Sequence, residues 1–118
     1  MLQLFTRRSV TAALAFIAAF SSPIPAMALE SVSGQVKRIG CHYTDNTCFV
    51  ALDSANFGAS LGCANPGTEF RFDGADTPAG KRAYASFLAA YLSQRTVGVV
   101  LDGCSAQGYP ALRYFNLL

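Results

Sequence analysis

The residues best suited to chemistry lie in one short stretch, CHYTDNTC, at positions 41–48. It holds two of the four cysteines and the only histidine of the chain. Such residues could bind zinc, form a nucleophilic Cys-His pair, or close a disulfide across a turn. The stretch has neither a C-x-x-C pair nor a second histidine for zinc, and adjacent residues of a strand point to opposite faces. We therefore predict a hairpin pinned by a disulfide, with His42 as an ordinary strand residue and no metal or cofactor.

The four cysteines predict two disulfides. Their number is even, which in an oxidising compartment favours disulfides, and three connectivities are possible. Residues 44–47 are turn formers, so antiparallel strands on either side would bring Cys41 next to Cys48. Cys63 is then left to pair with Cys104.

The first 28 residues have the three-part pattern of a signal peptide. Arg7 and Arg8 precede an apolar run over residues 10–20, and small residues ending at Ala28 follow it. The apolar run has about half the length that a membrane-spanning helix needs. We predict cleavage after Ala28, no stable membrane anchor, and an exported protein that is periplasmic or secreted.

Residues 29–118 are predicted to form a single disulfide-stapled domain, because a chain this short supports one small core. Without Arg7 and Arg8 the chain keeps seven Lys and Arg residues against seven Asp and Glu residues, so it is formally neutral. Nucleic acids and anionic membranes both attract a positive excess. We therefore predict no nucleic-acid partner.

Alternating apolar residues predict strands at residues 31–43, 47–52, 69–73, 96–104 and 110–118. Gly34 and Gly40 are predicted to mark bends where the first strand changes partner. A helix is predicted within residues 76–94, with Thr77 as its N-cap and Pro78 at its first position. Its predicted core face is an apolar stripe of Tyr84, Phe87, Leu88, Tyr91 and Leu92.

This order of elements predicts the fold class, which is mainly β with one helix. Three strands, a helix and two strands are typical of the OB-fold, a five-stranded Greek-key barrel whose helix lies between strands 3 and 4. The same order also allows an open α+β sheet with one helix on its face, which is the alternative.

Three segments, SGQVKRI, FRFD and TPAGKRAYASFLAAYLSQRTVGVVLDGC, resemble small exported proteobacterial proteins similar to the subtilase cytotoxin B subunit. The resemblance covers about residues 34–118. It implies an OB-fold barrel, a disulfide from Cys63 to Cys104, a homopentameric ring, binding to host glycans, and an exported A-type subunit as partner of an AB5 toxin. Cys41 and Cys48 are additional to the family pattern, and no sialic-acid-contacting residues are carried over.

The functional prediction is an exported binding module and not an enzyme, because the sequence has no nucleophile elbow, no Ser-x-x-Lys motif and no suggestive carboxylate pair. Sugar sites combine aromatic faces with short polar side chains in shallow exposed sites. Two predicted turns offer such residues. The candidate glycan-binding residues are Tyr43, Asp45, Asn46, Gln107 and Tyr109. The alternative is a periplasmic protein-binding or inhibitor protein without glycan binding.

Overall fold

The chain forms five strands and one α-helix in the predicted order. The computed structural model describes residues 13, 15–19 and 28–118, so most of the predicted signal peptide, residues 1–28, lies outside the described residues. The elements are β1 (Leu29–Cys41), β2 (Cys48–Leu52), β3 (Glu69–Phe72), α1 (Pro78–Ser93), β4 (Thr96–Cys104) and β5 (Pro110–Leu117), with a short 3-10 helix at Ala59–Leu61. No helix in this described part is long and apolar enough to cross a membrane.

Strand β1 is long because it pairs with two different strands. Its first half, residues 29–35, pairs antiparallel with β4, and its second half, residues 36–41, pairs antiparallel with β2. A Cβ atom on Gly34 would lie 2.6 Å from the carbonyl oxygen of Asp53, so the chain after β2 passes directly over this glycine. The change of partner predicted at Gly34 is confirmed. Gly40 instead lies within the regular β1–β2 ladder, where the ring of Phe49 covers it.

The sheet is mixed. Strands β2 and β3 pair antiparallel, as do β4 and β5, while β3 and β5 meet in parallel through one residue pair, Arg71 and Ala111. The order of pairings, β1-β2-β3-β5-β4, returns from β4 to β1. The predicted class, mainly β with one helix, is confirmed.

Helix α1 anchors the core through one aromatic residue. Phe87 is fully buried, and its ring centroid lies 5.4 Å from that of Phe70, 6.2 Å from that of Phe72 and 5.0 Å from that of Phe115. The Phe70 contact is edge-to-face, a favoured arrangement of aromatic rings. The helix is thereby fixed against both β3 and β5.

The start of α1 is as predicted. The Thr77 hydroxyl accepts a hydrogen bond of 3.1 Å from the backbone N–H of Gly80, and Pro78 occupies the first helical position. Proline fits there because the first N–H groups of a helix have no partner within the helix.

The predicted core face of α1 is wrong for part of the stripe. Tyr91 and Leu92 are 43% and 74% exposed, whereas the buried residues of the helix are Gly80, Ala83, Phe87 and Ala90. Gly80 lies against the Gly74 carbonyl and Ala75, where a side chain has no room. Gly80 thus packs against the loop before the helix, and the small residues Ala83 and Ala90 form the buried face together with Phe87. Tyr91 and Leu92 lie outside that face.

Both predicted disulfides are confirmed. Cys41 and Cys48 are directly opposed in the β1–β2 ladder, with their Cα atoms 3.9 Å apart. Cys63 and Cys104, with Cα atoms 5.6 Å apart, tie the loop of residues 53–68 to the end of β4. The loop-closure relation assigns about 2.5 kcal/mol to the short link and about 4 kcal/mol to the long one. The described residues contain no free cysteine.

Replacing Gly34 with alanine is expected to lower the free energy of unfolding by about 1–3 kcal/mol, because the new methyl group meets a backbone carbonyl that cannot rotate away. Urea denaturation measures the loss. The control is Gly67→Ala, since no atom lies within 4 Å of a Cβ built at Gly67. Equal unfolding midpoints for the two variants would contradict the close approach of Asp53.

Candidate functional site

The two turns predicted to bind ligand lie together at one end of the molecule. Thr47 Oγ1 donates a hydrogen bond of 2.7 Å to Asp73 Oδ1, and Asp73 Oδ2 accepts one of 3.1 Å from the backbone N–H of Ala106. Gln107 Nε2 donates to Thr47 Oγ1 at 3.3 Å. Asp73 and Thr47 thus join the β1–β2 hairpin to the β4–β5 turn.

In the β4–β5 turn, both candidate side chains already have partners. Gln107 bonds to Thr47, and the guanidinium of Arg71 lies 3.7 Å from the ring centroid of Tyr109. Arg71 is held in turn by Glu69, at 3.1 Å. One face of the Tyr109 ring is therefore covered, and these two side chains hold the turn in place.

The hairpin tip is ordered by polar contacts. Asp45 Oδ1 accepts a hydrogen bond of 2.9 Å from the backbone N–H of Thr47, and Asp45 Oδ2 lies 3.0 Å from Nδ1 of His42. The backbone N–H of Ala75 donates to the carbonyl of Asn46 at 2.8 Å. His42 lies beyond the end of β1, so its prediction as an ordinary strand residue is wrong; the contact with Asp45 holds its ring in the turn.

A depression of about 290 Å³ separates the hairpin tip from the start of α1. Its lining residues are Cys41, Asp45, Asn46, Cys48, Ala75, Asp76, Lys81 and Tyr84. Two of the five candidates, Asp45 and Asn46, line it, while Tyr43 stands fully exposed beside it. This depression is rimmed by charges of both signs.

A different surface covers the outward side of β1, β4 and β5, which we call the β1–β4–β5 face. Strand register aligns its residues in two rows that run across the three strands. The rows are Ser31, Val100, Tyr114 and Ser33, Gly98, Asn116. Outward orientation follows from burial, because the alternate residues Val97, Val99 and Leu101 are in the core.

Gly98 lies at the centre of this face and is itself buried, because the side chains of Asn116 and Leu118 lie over it. A Cβ atom on Gly98 would lie 2.7 Å from the side-chain oxygen of Asn116 and 3.6 Å from Cδ1 of Leu118. A depression of about 180 Å³ lies at this point of the face, with Ser31, Ser33 and Asn116 in its lining. Tyr114, which is 60% exposed, stands in the neighbouring row.

A second depression, of about 550 Å³, adjoins the first across β1. Ser31, Val32 and Ser33 line both, so the two serines form a ridge between them. The second depression extends to Ser54 and Asn56 in the loop after β2. Glu30 also lines it, and the Glu30 carboxylate accepts hydrogen bonds from the Gly58 N–H and the Ser60 hydroxyl, both at 2.6 Å.

The β1–β4–β5 face offers hydroxyl and amide groups beside the exposed ring of Tyr114 and the apolar side chains of Val100 and Leu118. This mixture suits a ligand that has both hydroxyl groups and an apolar C–H surface. Residues 28–118 contain no cluster of three or more His, Cys, Asp or Glu side chains placed to hold a metal. This face is not among the candidate sites that the sequence patterns predict. The alternation of Ser31 and Ser33 with Val32 indicates that both serines lie on the outward side of β1. The proximity of Asn116 depends on strand register, which the sequence pattern does not give.

Comparison of the chain with protein-family models, curated proteins and solved structures finds no match. The family resemblance of the three sequence segments therefore remains a prediction.

The hydrogen bond from His42 lowers the pKa of Asp45 below its ordinary value of 3.8. A lowered folded-state pKa means that the ionised carboxylate favours the folded hairpin. This contribution to stability is fully present above the pKa that Asp45 has in the unfolded chain. It is lost as the pH falls through the pKa that Asp45 has in the folded protein. NMR titration of the Asp45 carboxyl carbon should give a midpoint below 3.8.

The variant His42→Phe is expected to raise this midpoint, because phenylalanine keeps an aromatic ring but cannot hydrogen-bond to the carboxylate. The control, Lys37→Gln, removes a charge elsewhere on β1 and should leave the midpoint in place. An unchanged midpoint in His42→Phe would refute the assignment of the lowered pKa to the His42 contact.

Proposed function

We propose that this protein is an exported binding module that recognises glycans through the β1–β4–β5 face. The observation that carries the proposal is the pair of aligned rows, in which serine hydroxyls and an asparagine amide line a shallow depression beside the exposed ring of Tyr114. Shallow sites with a few placed polar groups and an aromatic surface fit the chemistry of sugars.

The depression on this face is small and shallow, which suits a single sugar ring. Its lining offers the hydroxyls of Ser31 and Ser33 and the amide of Asn116, which lies over Gly98. We expect sugar hydroxyls to hydrogen-bond to these groups and the apolar C–H face of the sugar to pack against the ring of Tyr114.

An OB-fold barrel and export are part of the same proposal. The pairings return from β4 to β1, and the helix lies between β3 and β4, which supports an OB-fold barrel over an open sheet. Two disulfides in so short a domain support folding in an oxidising compartment. Residues 1–28 would supply the signal for export to the periplasm or beyond.

The family resemblance extends the proposal to a homopentamer that binds host glycans and carries an exported A-type subunit. A ring of five copies would raise avidity for a glycan surface without any new contact in each site. Light scattering during size-exclusion chromatography measures the assembly directly. Five times the monomer mass is expected, and a monomer would contradict the ring.

A protein-binding or inhibitory role is the second candidate function, and the hairpin tip favours it. Tyr43 is fully exposed on a turn held by the Cys41–Cys48 disulfide and by the contacts of Asp45. A turn whose backbone is already ordered loses little backbone entropy when its exposed tyrosine inserts into a partner. In this alternative the protein binds no glycan.

Replacing Tyr114 with alanine is expected to weaken glycan binding about tenfold, because the sugar loses its aromatic surface. Glycan-array screening followed by calorimetry measures the change. Tyr43→Ala is the matched control, since it removes an exposed tyrosine at the other end of β1. Loss of binding in a Tyr43→Ala, Tyr109→Ala double variant, with retention in Tyr114→Ala, would place the site in the two turns instead.

A further inference from the structure

We infer that the depression between the hairpin tip and the start of α1 binds a small zwitterion, an amino acid with an apolar side chain. This depression combines an apolar lining with charges of both signs, and it lies at the end of β1 remote from the β1–β4–β5 face. The inference therefore goes beyond the proposed glycan binding and does not depend on it.

Most of the surface that lines this depression is apolar. The Cys41–Cys48 disulfide, Ala75 and Tyr84 contribute to it. Tyr84 is half-buried and packs against the hydrophobic core, which limits the movement of its ring. An aromatic ring beside a disulfide and a methyl group offers a contact surface for an apolar side chain of a ligand.

The size of the depression suits a small ligand. Its volume of about 290 Å³ lies at the lower end of the range for small-molecule sites. A single amino acid is of suitable size, whereas an oligosaccharide or a long peptide would extend beyond it.

The charged residues that line the depression differ in sign. Asp45 and Asp76 carry carboxylates, and Lys81 carries an ammonium group. Asp76 and Lys81 are exposed, and neither forms an ion pair or a side-chain hydrogen bond with another residue of the described part of the chain. Asp45 is held in place by its contacts with His42 and the backbone N–H of Thr47. Both signs of charge are thus available to a ligand.

Helix stability does not explain the position of Lys81. It ends the first turn of α1, where a positive charge is unfavourable because the N-terminus of a helix is itself partly positive. Lys81 and the helix end both attract the carboxylate of a ligand, whereas Asp45 and Asp76 attract its ammonium group.

An amino acid matches this arrangement because it carries a carboxylate and an ammonium group on one carbon atom. A ligand with an amine alone would meet the like charge of Lys81, and a ligand with a carboxylate alone would meet the like charges of Asp45 and Asp76. A zwitterion places an opposite charge at each.

NMR titration of the ¹⁵N-labelled oxidised protein with L-phenylalanine at neutral pH tests the inference. We expect saturable amide shifts at Ala75, Lys81 and Tyr84 below about 20 mM ligand, since a small ligand in a shallow site binds weakly. Phenylalanine amide lacks the carboxylate and N-acetylphenylalanine lacks the ammonium group. Each should bind at least about tenfold more weakly than phenylalanine.

The absence of saturable shifts at these three residues would overturn the inference. Equal affinity for phenylalanine and either analogue would also overturn it, because the missing charge would then contribute nothing to binding. Neither result bears on glycan binding at the β1–β4–β5 face.

The variant Lys81→Gln removes the cation from the depression and keeps a long polar side chain. We expect it to weaken phenylalanine binding at least about tenfold, because the carboxylate loses its partner. The control is Arg82→Gln, which removes the same charge at the next residue of α1, exposed and outside the lining. Equal affinities of the two variants for phenylalanine would refute the assignment of the carboxylate to Lys81 and overturn the inference.

Discussion

The structure depends on the division of β1 between two partners. One continuous strand pairs with β4 through residues 29–35 and with β2 through residues 36–41. The division is possible because Gly34 leaves room for the carbonyl of Asp53. The backbone N–H of Asp53 donates a hydrogen bond of 2.8 Å to the carbonyl of Gln35. The outward-facing residues of the sheet therefore fall into two surfaces, one built on each half of β1.

The two halves of β1 carry different surfaces. Ser33 belongs to the β1–β4–β5 face, whereas Cys41 begins the hairpin, and about 26 Å of strand separates them. A single small ligand therefore cannot contact both. The two candidate surfaces are alternatives for one sugar, although a larger partner could reach both.

The two surfaces also differ in how many of their polar groups already have hydrogen-bond or ion-pair partners within the protein. On the outward side of β2 and β3, Glu69 bonds to Arg38 at 2.6 Å and to Arg71 at 3.1 Å, and Arg71 covers Tyr109. The hairpin tip is likewise internally bonded. At the β1–β4–β5 face, in contrast, the serines and Tyr114 are exposed, and their hydroxyl groups face solvent. More polar groups can therefore bind a ligand at this face than at the hairpin tip.

Local chemistry made much of the fold predictable from sequence. The turn formers between Cys41 and Cys48 predicted that disulfide, and Thr77 followed by Pro78 predicted the start of α1. The face of α1 was not predictable from apolar residues alone. Its buried side consists of Phe87 and three small residues, Gly80, Ala83 and Ala90, which the periodicity of large side chains does not reveal.

The residues that make up the candidate face are determined by how three separate strands align. Ser33, Gly98 and Asn116 are far apart in the chain and become neighbours only through the register of β1, β4 and β5. Single-sequence patterns locate strands but leave their register open. Composition alone indicates turns, which is why the residues predicted to bind a ligand lie in the turns at residues 42–47 and 105–109.

Chemical-shift mapping locates a bound sugar directly. An oligosaccharide that binds on a glycan array would be titrated into the ¹⁵N-labelled oxidised protein. For a sugar bound at the β1–β4–β5 face, we expect the largest amide shifts at Ser31, Ser33, Gly98 and Asn116. Shifts confined to Asp45, Asn46 and Gln107 would contradict it and assign binding to the turns at the other end of β1.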